Sequence, residues 1–406
     1  MKALYVPLMV IFLLLHITVP GQKKGEIFSY TNNTGYSVDD VFLTAEIPDD
    51  GGLYLLFSDG KEIPSQIITE KGKRFAAFTL NFAAGETKLI EIKKGDFANR
   101  PAYKARTYAE LSMKQTNVYY DGRFRGDRFV NVQKITVPAI HKDHDALFRY
   151  EGPGWESEKV AYRFYLDWRN ATDIFGKKTN ELILHTVGVH DTVAKDDSYH
   201  TMQPWGMDIY KVGSTLGLGS VGMWKNASVQ RVSVTDSIWC EIAENGPVRS
   251  MVRTSYFGWN VSGSRNNLIT DYSITAGSRL TYAVQKITPS QDTLVTGFPK
   301  AKRTSYFTEP GEGEWGYIAL YGTQTLVNDH DNMGIAIFYK KSQSAAITED
   351  SQSHVILFKP GQTEISYYFC AAWEQELSGI KSESEFREYL NQTLMLLNNP
   401  ITIKLQ

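Results

Sequence analysis

Along most of the chain, apolar and polar residues alternate one for one. Period-two runs rich in β-branched and aromatic residues cover residues 75–82, 159–166, 181–189, 248–257, 279–286, 334–339, 354–358 and 364–371, each bounded by Gly, Asp, Asn or Pro. That pattern predicts strands with turns between them. Asp59-Gly60, Asp121-Gly122 and Asn245-Gly246-Pro247 punctuate the remainder. Only the C-terminal region changes period. Ser382 with Glu385 forms a capping box, and Phe386, Tyr389, Leu390, Leu394 and Leu397 follow at helical spacing up to Asn399-Pro400. The expected fold is therefore all-β, a large antiparallel β-sandwich with a small N-terminal β unit and a C-terminal helix. No fixed-period repeat occurs, which disfavours a propeller or solenoid.

The first residues add an address. One Lys precedes an apolar run from about Leu4 to Val19, and Pro20-Gly21 and Gln22-Lys23-Lys24 follow. That order of charged, apolar and polar stretches is a secretory signal peptide, expected over residues 1–21. The run is too short for a membrane anchor, and no later segment approaches spanning length. The expected location is periplasmic or secreted. Residues 22–98 then form the N-terminal β unit and residues 99–406 the catalytic sandwich. With 43 Lys+Arg against 45 Asp+Glu in 406 residues, the balance argues against nucleic acid as a partner. Two Cys, Cys240 and Cys370, are too few for a disulfide scaffold. They either pair or lie buried as free thiols.

Candidate chemistry concentrates in residues 141–178. Alternation along 159–166 puts Tyr162, Phe164 and Leu166 on one face and Arg163, Tyr165 and Asp167 on the other. An Arg can grip a carboxylate two-pronged, and a Tyr or neighbouring His can move a proton. Just upstream, Trp155 stands in a Gly-Pro-Gly-Trp-Glu turn beside Arg149 and Glu151, the arrangement of a sugar-stacking platform with polar groups around it. A second cluster holds His200, Trp205, Asp208 and Lys211. His200 is the best lone candidate for general acid or base.

Other signals are weaker. The glycines of 213–222 lack the phosphate-loop ending and read as turns or bulges. Asn328-Asp329-His330-Asp331-Asn332 could suit calcium but lacks the twelve-residue pattern, so a polar turn is preferred. There is no zinc-protease His pair and no nucleophile elbow. His185 and His190 fall on opposite sides of the expected strand and make poor co-ligands.

The run RYEGPGWESEKVAYRFYLDWRNATDIFGKK, then YHTMQPWGMDIYKVG and YYFCAAWE, resembles a family known mainly as a domain of unknown function. It occurs in secreted Bacteroidetes proteins encoded among polysaccharide-utilisation genes. A described member is an oligosaccharide dehydratase of ulvan breakdown, which removes water from a non-reducing-end uronic acid. The resemblance implies a β-sandwich of the kind common in carbohydrate-active enzymes and a uronic-acid oligosaccharide as substrate. On that reading Arg149 and Arg163 clamp the uronate carboxylate. His144 and His200 serve as base and acid, with Tyr165 as substitute. Trp155 and Trp205 stack on the sugar, while Glu151, Asp167, Asp208 and Lys211 orient the site. No cofactor motif is identified, although a divalent cation could help neutralise the uronate. A polysaccharide lyase, a glycoside hydrolase and a non-catalytic sugar-binding protein are the competing readings.

Overall fold

A strand covered on both faces has no polar side to show, and Glu364–Trp373 is such a strand. Its residues Tyr367, Phe369, Ala371 and Trp373 belong to one hydrophobic core and Tyr368, Cys370 and Ala372 to another. The computed structural model describes residues 26–406 except 100, 116–117, 192–196 and 290–291. The expected signal peptide, 1–21, lies outside the described residues. Among those, no helix is long and apolar enough to cross a membrane.

Glu364–Trp373 sits inside a nine-stranded antiparallel sheet. In spatial order the strands are Lys134–Thr136, Ser237–Asn245, Arg249–Val261, Ser264–Thr275, Leu280–Thr288, Glu364–Trp373, Asn332–Lys340, Trp315–Thr323 and Arg303–Glu309. Two five-stranded sheets share the first core with one face. The other face packs against the helix Glu383–Asn398 through Phe386, Leu390, Leu394 and Leu397. Phe42, Ile68, Phe75 and Ala77 of a three-stranded N-terminal sheet join them there. The fold is the expected all-β sandwich with one C-terminal helix. Ser382 caps that helix by accepting from the Glu385 backbone N–H at 3.2 Å.

Residues 26–94 form the three-stranded sheet and part of a five-stranded one. The fifth strand of the latter, Thr402–Leu405, arrives from the far end of the chain and pairs with Glu26–Thr31. The two cysteines are free and buried. Cys240 and Cys370 belong to different cores.

Two expectations fail. Residues 181–189 are turns, not a strand. The Glu156 carboxylate accepts the Ile183 and Leu184 N–H groups, and Arg149 donates to the Leu184 and His185 carbonyls, so side chains take the bonds a strand partner would take. Trp155 is no exposed platform. It lies on the strand Gly154–Ser157, fully buried, stacked on Tyr272 at 5.2 Å and donating to Thr281 Oγ1 at 2.9 Å. The flanking glycines that suggest a turn serve packing. A Cβ on Gly152 would lie 1.9 Å from the Phe164 carbonyl oxygen, and one on Gly154 would lie 2.9 Å from the Tyr150 hydroxyl.

Trp155→Ala should cost about 3–5 kcal/mol of stability, with Trp155→Phe milder. Chemical denaturation checks this. A variant with an unshifted midpoint and only a raised KM would restore the sugar-platform role.

Candidate active site

The site grows from strand register. The Cα partners Glu110, Gly154, Arg163 and Asp173 form one row across four strands, and Phe175 pairs with Asp208 on the next strand. Directly opposed residues share a face. Glu110, Arg163, Asp173 and Asp208 are therefore set together before any loop is placed, and Gly154 leaves a gap filled by Tyr150 and Leu184.

Arg163, fully buried, donates through Nε to Asp173 at 3.0 Å and through Nη2 to Asp173 at 2.7 Å, Asp208 at 2.5 Å and the Tyr165 hydroxyl at 2.7 Å. Its Nη1 lies 3.5 Å from Glu151. The rings of Tyr165, Phe175 and Tyr199 lie about it at 4.8–5.1 Å. Burial pushes the Asp208 carboxyl well up from the usual carboxylate range, against the pull of Arg163.

A second guanidinium lies above the first. Arg169 bonds Asp167 through Nε at 2.9 Å, reaches Glu151 at 2.7 Å and Asp143 at 2.8 Å, and covers the Tyr165 ring at 3.6 Å. Burial alone would raise the Glu151 carboxyl, but Arg163 and Arg169 together bring it down to about 2.

Two histidines occupy the open side. His144 is 58% exposed and stands 3.4 Å from both Asp143 and Glu151. His200 places Nε2 3.5 Å from Asp208 Oδ2 and packs edge-on against Tyr199. Burial, followed by the charge of Arg163, lowers the His200 pKa. His144, Ala146 and Glu151 all have left-handed backbones, at φ 54°, 61° and 71°. Such strain in non-glycine residues gathers at functional sites. A cavity of about 20 Å³ opens between them, lined by Arg123, His144, Arg149, Glu151, Asp197 and Tyr199 among others.

The structure thus brings together His144, Glu151, Arg163, Tyr165, Asp167, His200 and Asp208 from three separate stretches of sequence. Trp205, half-buried, sets its edge against Phe175 beneath Tyr199. Four expected roles need correction. Arg163 is saturated by internal carboxylates and cannot clamp a substrate. Arg149 is committed to the Glu110 carboxylate and two carbonyls, although its Nε lacks a hydrogen-bond partner. Tyr165 is buried, donates to Asp173 and is pushed well above its ordinary pKa by burial, so it is no ready acid or base. Lys211 is exposed and makes none of the cluster's bonds.

Sequence reasoning missed Arg169, Asp143, Asp173 and Arg123. Arg169 lies within the densest candidate region, two residues past Asp167, and could have been found there. Nothing in the sequence ties Arg123 to the site, since it arrives on a separate hairpin. Asp143, His144 and Glu151 bring ligand atoms within 4.8 Å of one another, a set able to hold a metal ion. Arg169 already bonds both carboxylates of that set and supplies the positive charge there. The 328–332 segment is a polar turn. The Asp331 carboxylate accepts from Trp373 Nε1 at 2.5 Å, Gln375 at 2.5 Å and Thr325 at 2.6 Å.

A family model described as a domain of unknown function, DUF4861, matches residues 41–403. No curated protein sequence matches the chain. Among solved structures, the chain is similar to a protein in the glycosyl hydrolase family 38 from Enterococcus faecalis, at 12% identity and TM-score 0.48, covering 95% of this chain and 48% of that one. It is also similar to an alpha-mannosidase from Enterococcus faecalis V583, at 12% identity and TM-score 0.47, covering 95% of this chain and 46% of that one. The chain spans about half the length of each.

The depressed Glu151 carboxyl predicts a pH signature. Above an unfolded-state pKa of about 4.3 the group is ionised in both states and its ion pairs stabilise the fold in full. That stabilisation drains as pH falls through the folded value of about 2. Thermal melts of wild type and Glu151→Gln should differ most above about pH 4.3 and converge toward pH 2.

Proposed function

We propose that this chain, which belongs to the DUF4861 family, is an exported carbohydrate-active dehydratase that eliminates water from the non-reducing-end uronic acid of an ulvan-type oligosaccharide. The observation that carries this reading is the placement of two histidines, His144 and His200, at the open side of one buried arginine–carboxylate cluster.

Elimination takes the proton from C5 and expels the C4 hydroxyl. His200 is the base. Its lowered pKa keeps the imidazole neutral near pH 7, and Nε2 facing Asp208 leaves Nδ1 free to take the proton. The C5–H electron pair becomes the C4=C5 double bond. The C4–O bond breaks, and His144 delivers the proton that turns the leaving hydroxyl into water.

C5 is acidic only if the neighbouring carboxylate is neutralised. With Arg163 consumed internally, that charge falls to Arg123, which lines the cavity, helped by the unpartnered Nε of Arg149. A cavity of about 20 Å³ admits one small substituent and no sugar ring. The ring then rests at the mouth, beside the exposed His144. This suits attack on a chain end.

A hydrolytic reading has one observation of its own: Glu151 is held ionised while Asp208 is pushed toward its protonated form, both beside Arg163. Acid and base carboxylates in glycosidases differ in that way. A lyase would share the proton abstraction and expel a sugar instead of water.

Products decide among the three. Purified protein with uronic-acid oligosaccharides should raise near-ultraviolet absorbance, with mass spectrometry recording loss of one water and no shorter chains. New reducing ends without absorbance would install hydrolysis, and absorbance with shorter chains a lyase. His144→Gln and His200→Gln should each lower kcat by at least about 100-fold, and full activity in both would end the assignment. The acid limb of kcat/KM should have its midpoint below about 6.5, the ordinary histidine value.

A further inference from the structure

Residues 114–142 carry six Lys or Arg against two Asp, in a chain whose net charge is −2. This cationic surplus is local, and it borders the candidate active site. Its tip is a hairpin, Tyr119–Tyr120 paired with Arg123–Phe124 around Asp121-Gly122. Phe124 is buried and its N–H donates to the Asp145 carbonyl at 2.7 Å. Strand alternation therefore turns its neighbours Arg123 and Arg125 outward on the same side. Arg123 Nε donates to the His144 carbonyl at 3.2 Å, which fastens the hairpin to the cavity. Arg125 lies 6.0 Å from the ring of Tyr120, which is 71% exposed. Lys142 Nζ lies against the turn, 3.5 Å from where a Gly122 Cβ would stand. Among the described residues, neither Arg125 nor Lys142 has a carboxylate partner.

Cations left without carboxylates, next to an exposed aromatic ring, make a receptor for an anion carried on a sugar. The ring offers a face to the apolar side of the pyranose, and the cations meet its charged substituent. We propose that this hairpin is the subsite for the sugar adjacent to the reacting uronate. Tyr120 stacks on that sugar, while Arg125 and Lys142 select one bearing an anionic substituent, a sulfate ester or a second carboxylate. The inference rests on the uronate reading of the neighbouring cavity.

The test is calorimetric titration of the full chain with three probes: a sulfated uronate-ended tetrasaccharide, its chemically desulfated counterpart, and a tetrasaccharide of uronic acids alone. Wild type should bind at least one of the two more anionic probes about tenfold tighter than the desulfated one, and the stronger of them identifies sulfate or carboxylate as the recognised group. In Arg125→Gln/Lys142→Gln, both exposed positions, that preference should collapse and the salt dependence of binding should flatten. An unchanged preference in the double variant, no preference in wild type, or no binding of any probe overturns the proposal. Because the readout is binding, it stands apart from turnover. Binding with the expected preference but no near-ultraviolet product would fault the dehydratase reading and leave the subsite intact.

Discussion

A single buried guanidinium holds this site in place. Arg163 sits in a shell of Asp173, Asp208, Glu151 and the Tyr165 hydroxyl, away from water. Each of those carboxylates would be costly to bury alone, and removing their common partner would leave them uncompensated. The strands Ala161–Phe164, Thr172–Lys177 and Gly206–Asp208 are thus joined by charge as well as by backbone bonds. Asp208 faces His200, whose pKa is lowered first by burial and then by the charge of Arg163. An arginine whose place in the sequence suggests a substrate clamp is the keystone of the scaffold beside the cavity.

Support extends outward through a second buried pair. Lys177 and Glu156 are both fully buried and 2.8 Å apart. Glu156 also accepts the N–H groups of Ile183 and Leu184, which tethers a turn that no strand partner holds. That turn presents the carbonyls to which Arg149 donates. Charged residues here do the work that sheet hydrogen bonds do elsewhere. They let irregular backbone pack closely against a regular core.

The fold was largely legible because its signals are local. Alternation marks strands, a run such as YYFCAAW marks burial on both faces, and Ser382 with Glu385 marks a helix start. The site was legible only in part. Residues sharing the stretch 141–178 could be grouped by density, and His200 and Asp208 stood out as a second group. Burial could not be read from residue type. Trp155 looked exposed because glycines surround it, yet those glycines exist to let Phe164 and Tyr150 approach. Arg149 and Arg163 looked available because free arginines and internally paired ones are spelled alike. Asp173 owes its place to a register with Arg163 that no spacing announces.

The closing strand of the N-terminal sheet has a kinetic consequence. Ser29 bonds the carbonyl of Lys404 across 375 positions of sequence, so Glu26–Thr31 waits for almost the whole chain before its second neighbour arrives. Contacts of such separation are entropically late. Until Thr402–Leu405 is in place, Glu26–Thr31 has one edge open, and the residues that cover it lie some 375 positions further along the chain. An unpaired edge is the molecule's exposure to aggregation until that pairing forms.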